Sequence, residues 1–565
     1  MGPARRPSHG SDHAPRLAPR VDPNPFPAAA PIAGRRARWI GLPLVGVLFA
    51  LASWGAEAEE GTPGTPPPGT PIVSVRIDRH DVFDLNDPAT SAWPYRWVDA
   101  LHIVSREDFI RSLLLFRAGD RLDPVRLAES ELILRGTGFL NPVSISARTV
   151  SGGAEVTVET HDQWTTSVRA SFGVAGNRRS VSLGLSEDNL LGMGKSLFLD
   201  VTSEPERTST TFRYKDLTFF HSRWQLELEH QSSSDGSTDH LRFEYPFFSL
   251  ATPRAGGVDW KRDESTKFLW SEGEERIAGE ANTRTWELWG GLRLPGAGLQ
   301  TDRLIVGAFG ERALFRNWHS LSGPDYPQPL DRDLVGPEVG WEHRTFRWKV
   351  VRGFRAWLRQ EDVPLGPNWK VTAGLSLPFF GGDSVRLKVH GAYEAGQLSG
   401  RTYTWQLADL SGRVESRGLG NMVTHLEAGG AITGSAGLRV RLAADLGHDL
   451  DGERQLSLGA DTGLRGYDPY TFDGTSRMVA NVEWRGRITG ELLHVAALGL
   501  TAFADGGKTW GARVGPSTEG WRGDIGAGIL VELTRAAVVR ILRFEVAVPD
   551  RGRRPVFLIT SDSLF

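Results

Sequence analysis

The chain has no cysteine and only 4 methionines in 565 residues, which excludes disulfides and thiolate metal sites. Long apolar runs are also missing. Beyond residue 58 no stretch approaches the roughly 20 apolar residues a spanning helix needs. If that part of the chain crosses a membrane it must do so with strands, because only helices and closed barrels satisfy every backbone group in lipid. There is no basic excess: the formal net charge is -3, and residues 1–58 hold more arginine than acid, so the remainder is more acidic still. Nothing in that balance points to a nucleic-acid partner.

What is present begins with a topogenic signal. Arg35, Arg36 and Arg38 precede an apolar run from Ile40 to Trp54, and Ala56 and Ala58 follow in the pattern Ala-Glu-Ala. A basic region, a short apolar region and small residues at a cleavage site describe a secretory signal peptide, so residues 1–58 read as leader and signal with cleavage after Ala58. Residues 59–70 then form a Pro/Gly-rich linker containing "GTPGTPPPGTP", stiff and solvated by composition.

Residues 71–162 read as strand, helix, helix, strand, strand. Val73, Val75 and Ile77 alternate with Ser74 and Arg76 as in a half-buried strand. Ser105 is the expected N-cap of a helix whose apolar face is Phe109, Ile110, Leu113 and Leu114, and Asp123-Pro124 opens a second that ends at Gly136. Val143 and Ile145, then Val156 and Val158, mark two more strands. From residue 163 onward the period is two throughout, in segments of about ten residues between Gly, Asn, Asp and Ser clusters. Trp224, Leu226 and Leu228 oppose Gln225, Glu227 and Glu229, and Leu438, Val440 and Leu442 oppose Arg439 and Arg441. A soluble sandwich and a membrane barrel both give such alternation. The signal peptide, the 66 glycines, the 19 tryptophans and the unequal polar loops favour the barrel. After Gly474 five strands are expected, near 476–485, 494–505, 523–533, 538–548 and 556–565.

Inside "TGLRGYDPYTFDG" (462–474) a lone arginine, Arg465, stands between Leu464 and Gly466, with Tyr467 following. A guanidinium inside a barrel needs a carboxylate. One is at hand in "FADGG", where Phe503, Asp505 and Gly507 lie on a predicted strand whose alternation turns Asp505 to the polar lumen. These motifs, with "NVEWR", "SEDNLLGMGKSL" and a terminal Phe565, resemble the BamA/TamA outer-membrane assembly superfamily, also called the bacterial surface antigen family, and 71–162 resembles one of its POTRA (polypeptide-transport-associated) domains. The resemblance implies a mainly β protein: a 16-stranded antiparallel transmembrane barrel over 163–565 behind one small α/β domain. It implies that a long sixth extracellular loop, here 461–474, folds inward and that Arg465 pairs with Asp505. It implies a C-terminal sorting strand with Phe557, Ile559 and Phe565 in phase, although Ser561 and Ser563 interrupt the pattern. The implied place is the outer membrane of a diderm bacterium with the POTRA-like domain in the periplasm. The implied partners are unfolded outer-membrane or secreted polypeptides, outer-membrane lipids and periplasmic accessory proteins. A single POTRA-like domain is fewer than the family's general insertases carry.

Enzymatic readings find little support. "GGDSV" at 381–385 is an ordinary turn before a strand. His80, His102 and His161 lack metal-ligand spacing. No catalytic residue, metal or cofactor is expected. The readings left are a protein assembly or translocation factor, an outer-membrane pore or receptor, and a structural barrel that docks periplasmic partners.

Overall fold

The computed structural model describes residues 65–561 except 176, 177, 205, 297, 538, 539, 552 and 553. The leader and signal, residues 59–64 of the linker and Phe565 therefore lie outside the described residues. A three-stranded sheet comes first, from β1 (Ile72–His80), β2 (Leu140–Val150) and β3 (Gly153–Asp162) in the order β1-β3-β2. β1 runs parallel to the central β3 and β2 antiparallel. Between β1 and β2 come three helices, α1 (Trp93–Leu101), α2 (Glu107–Leu113) and α3 (Pro124–Gly136). The two-helix expectation is thus corrected: α1 was missed because its apolar residues have no core to face and none of its residues is buried. Helix α3 starts as its sequence suggests, with the Asp123 side chain accepting from Val125 N at 2.9 Å. Ser105 does not cap α2. Its hydroxyl and its amide both donate to Asp162 at 2.8 Å, and Arg106 holds the cap position.

Twenty strands follow in one antiparallel sheet. They are β4 (Thr166–Ala175), β5 (Arg178–Glu187), β6 (Lys195–Ser203), β7 (Thr208–Asp216), β8 (Gln225–Ser233), β9 (Gly236–Tyr245), β10 (Arg254–Ser271), β11 (Glu274–Arg293), β12 (Gln300–Ser320), β13 (Arg332–Thr345), β16 (Gly366–Ser376), β17 (Arg386–Ser399), β18 (Thr402–Glu415), β19 (Gly418–Ile432), β20 (Ala436–His448), β21 (Ser476–Arg487), β22 (Ala496–Trp510), β23 (Arg522–Leu533), β24 (Ile541–Pro549) and β25 (Val556–Ser561). β14 (Trp348–Val351) and β15 (Glu361–Pro364) form a separate hairpin. In the sheet order β25 neighbours β4, which closes the barrel. The expected 16 strands are corrected to 20. All five strands expected after residue 474 are present, so the four additional ones lie before the Arg465 loop. That loop is accordingly the eighth on its rim, not the sixth. The number 16 came from the resemblance, whereas the alternation itself offers more segments than that.

The sheet is inside out relative to a soluble protein. Leu442 is 56% exposed and Ile525 65%, while Arg439 is 4% exposed and Arg543 fully buried. Apolar side chains on the outside and charged ones inside fit a wall surrounded by hydrocarbon. Among the described residues no helix is long and apolar enough to cross a membrane.

The small sheet and its helices sit on one rim of the barrel, termed proximal. Their core of Ile110, Leu134, Phe139, Val156 and Val158 includes Ala537 from the turn after β23. In the turn between β5 and β6, Asn189 donates to Ser105 Oγ at 2.8 Å, and Gly192 O accepts from Arg106 N at 2.8 Å. Arg223 donates to Leu114 O at 2.7 Å, and Leu250 N to Glu129 at 2.6 Å. From the opposite wall the 346–365 segment reaches across the mouth. Asp362 accepts two bonds from Arg135, at 2.9 and 2.8 Å, and the Gln360 carbonyl accepts from Asn141 at 2.9 Å. Its tip is fixed to β23, where Glu532 accepts from Trp357 N and Leu358 N at 2.8 and 3.0 Å.

The junction carries a proton-linked group. Burial pushes the Asp162 carboxyl up to about 6, although the Ser105 bonds and His102 oppose the rise. His102 is raised as well: burial lowers it, but its hydrogen bond to Asp81 and the nearby Asp162 outweigh that. Both groups bind protons more readily folded than unfolded, so junction stability falls as pH rises, from near 4 to 6 for Asp162 and on through neutrality for His102. The Asp162 part is at most about 3 kcal/mol. Hydrogen exchange of residues 102–110 and 189–194 should therefore quicken between pH 4 and 7 once corrected for intrinsic rates, and Asp162→Asn should flatten the profile. An equally steep profile in the variant would remove Asp162 from the explanation.

Candidate functional site: a lumenal arginine clasp

The loop from residue 449 to residue 475 belongs to the distal rim and turns back into the lumen, where Arg465 is 1% exposed. Two glycines make the approach possible. A Cβ on Gly466 would lie 2.6 Å from Asp524 Cβ on the wall. Gly463 has φ +117°, a left-handed conformation, and a Cβ there would meet Val479 at 2.7 Å. Leu464 is fully buried and packs with Leu458, Tyr467 and Val479, with Phe472 alongside, forming an apolar lid over the charges. Gly507 leaves room for that lid, since a Cβ there would lie 2.8 Å from Leu458.

Arg465 Nε donates to Asp505 Oδ2 at 2.7 Å and Nη2 to Asp505 Oδ1 at 2.9 Å, a two-pronged pair. The Phe503 ring lies beneath the guanidinium, its centroid 3.4 Å from Cζ. Tyr467 donates its hydroxyl to Asp550. The structure thus brings Leu464, Arg465, Gly466, Tyr467, Phe503, Asp505 and Gly507 into one site. Phe557 and Ile559 are elsewhere, exposed on the outer face of β25.

Four further charged residues complete the site. Arg465 Nη1 donates to Glu483 at 2.7 Å and reaches Glu545 at 3.5 Å. Arg543 bridges the same two carboxylates at 2.7 and 2.6 Å, and Arg485 also pairs with Glu483. Asn481 donates to both Gly463 O and Asp505 Oδ1 at 2.8 Å, tying loop backbone to wall. Three arginines meet Asp505, Glu483 and Glu545, and Asp524, opposite Asp505 in the register of β22 and β23, puts a fourth buried carboxyl beside them. The motif "NVEWR" contains Glu483 and Arg485 but does not by itself mark them as partners of Arg465. The signal was the alternation, which puts Asn481, Glu483 and Arg485 on the face that Asp505 shares, as it does Arg543 and Glu545 on β24.

The loop is held at its far end too. Asp473 accepts from the amides of Val514 and Gly515, at 2.6 and 3.1 Å, in the neighbouring distal loop. On the proximal side Arg485 donates to Arg355 O at 3.3 Å, so the clasp touches the segment that crosses the mouth. Among other groupings, His80, Glu159 and His161 put their ligand atoms within 4.8 Å of one another on the small sheet. They could hold a metal ion, which the spacing in the sequence did not suggest, because the parallel pairing of β1 and β3 sets His80 opposite His161.

No protein-family model matches this chain, and no curated protein matches it in sequence. Solved structures do resemble it. BamA from Haemophilus ducreyi lacking POTRA domains 1–3 is 14% identical over 87% of this chain and 83% of its own, with a TM-score of 0.36. CdiB from Escherichia coli is 15% identical over 89% and 90%, with a TM-score of 0.39. CdiB from Acinetobacter baumannii is 10% identical over 86% and 71%, with a TM-score of 0.41.

Removing one partner from a buried pair strands a charge, so Arg465→Ala and Asp505→Ala should each cost about 3–5 kcal/mol in loop or barrel stability. The double variant should cost less than the sum. Unfolding in detergent, followed by heat-modifiable migration, measures both. Additive losses would contradict the pairing.

Proposed function

We propose that this chain is an outer-membrane barrel of the BamA/TamA assembly superfamily that assembles or exports other polypeptides. On this reading residues 71–162 are a periplasmic POTRA-like domain. It would receive unfolded chains by adding them as a strand to its sheet. The barrel would pass or insert them at the seam where its first and last strands meet. Phe557 and Ile559 would belong to the strand read by the host's own assembly machinery.

The observation that carries the proposal is the inward loop held by Arg465 against Asp505 in a buried ion-pair network, 2.7 and 2.9 Å from its carboxylate. A loop locked into the lumen narrows the path for free diffusion, and it suits a barrel that must stay sealed until a client arrives. The small domain across the proximal mouth supports the same reading, because incoming chains meet it before the lumen.

One feature favours a pore or receptor instead. Twenty strands enclose more space than sixteen, since barrel diameter grows with strand number. The engaged clasp and the covered mouth weigh against it.

Quantitative proteomics of the outer membrane after depletion of this protein separates the readings. Loss of one or a few barrel or secreted proteins is expected, and would identify the clients. An unchanged proteome with altered solute uptake or leakage would overturn the assembly reading in favour of the pore.

A further inference from the structure

Helix α1 stands apart from the rest of the small domain. Trp93 is 75% exposed, Trp97 66% and Leu101 64%, and Ile103 just beyond the helix is 51% exposed. At 3.6 residues per turn, Trp97 and Leu101 lie about 40° and 80° round from Trp93, so the three form one stripe. Tyr95 and Asp99 point to the opposite side and fasten the helix to protein. Tyr95 donates to Leu493 O at 3.0 Å and stacks at a tilt on Phe83, and Asp99 accepts from Phe83 N at 3.3 Å. The apolar stripe therefore faces outward.

Its neighbour shows where outward leads. Leu493 belongs to the proximal turn between β21 and β22, and in that turn Ile488 and Leu493 are themselves well exposed. The same two strands carry Trp484 and Leu500 on the barrel's outer face. Apolar exposure thus continues from the wall, through the turn, to the helix beside it. Two indoles and a leucine on one helical face, with Arg96 on its flank, have the composition of a helix lying in the plane of a lipid interface.

We propose that α1 is an interfacial anchor that rests in the headgroup region of the proximal leaflet and fixes the small domain's height and tilt at the membrane. The proposal rests on the reading of the barrel as membrane-embedded. It gives the small domain a third attachment, beside the barrel turns and the segment across the mouth. It also gives lipid composition a route to the orientation of the domain.

The absence of cysteine makes the test direct. Single cysteines replacing Trp97, Leu101, Ile529 and Arg117 are labelled with an environment-sensitive NBD probe on the full chain, reconstituted in phosphatidylethanolamine and phosphatidylglycerol vesicles. Each variant is first checked for heat-modifiable barrel migration. Labels at 97 and 101 should be blue-shifted, and quenched more by lipids bearing a nitroxide near the headgroup than by lipids bearing one deep in the chain. The label at Ile529, outward on β23, should show the reverse, and the label at Arg117 should be reached by aqueous iodide. Iodide access at 97 and 101, with Ile529 lipid-quenched, would overturn the anchor while leaving the barrel reading intact. Shielding of 97 and 101 from both quenchers would mean a protein partner or second copy covers the stripe, and would overturn the anchor equally. Iodide access at Ile529 would sink the membrane reading on which the anchor rests.

Discussion

Burying the guanidinium of Arg465 is the constraint around which this molecule is arranged. A charge that loses water must regain its interactions from fixed groups, or the loop that carries it will not stay inside. Asp505 supplies two acceptors and Glu483 a third, but these carboxylates are buried as well and need cations of their own. Arg543 and Arg485 provide them from the adjoining wall. The site is therefore held by strands that also close the barrel. A change in how β21 to β24 pair would displace the acceptors from the loop.

The same residues extend the clasp toward the other end of the molecule. Arg485 reaches the Arg355 carbonyl, the 346–365 segment runs from there to Asp362, and Asp362 holds Arg135 on α3. Each step is a hydrogen bond or a short piece of ordered backbone. Movement of the small domain thus has a physical path to the inward loop.

Much of this was legible in the residues. Alternation such as Leu438, Val440 and Leu442 against Arg439 and Arg441 defines strands, because a pleated chain turns successive side chains to opposite faces. It could not say which face meets solvent; that required the exposure of Leu442 and the burial of Arg439. Asp505 could be matched to Arg465 because motif and face agreed, whereas Glu545 and Arg543 sit on a strand with no distinguishing motif and reach the site only through the register of β22, β23 and β24. Ser105 looked like a helix cap because local bonds are what sequence displays, and the buried Asp162 that claims it is 57 residues away. The segment across the mouth gave no sign at all. Its role depends on Arg135 and Glu532, which lie far from it in the chain.

The extra strands and that segment belong to one geometric problem. Every wall residue of the clasp lies on β21 to β24, so strands added before residue 460 leave its bonds untouched. The loop itself still reaches those earlier strands, for Thr471 O accepts from Glu272 N at 2.9 Å and Tyr470 stacks on Trp270. The 346–365 segment leaves the wall between β13 and β16, eight strands from where Glu532 holds its tip. It carries Trp357 across to pack with Leu530 and Ile541. A barrel can vary in strand number outside β21 to β24 without losing such a clasp, provided that its width is spanned at the mouth. Here the span is made by a segment that also binds the small domain, so crossing the mouth and holding the domain are one set of contacts.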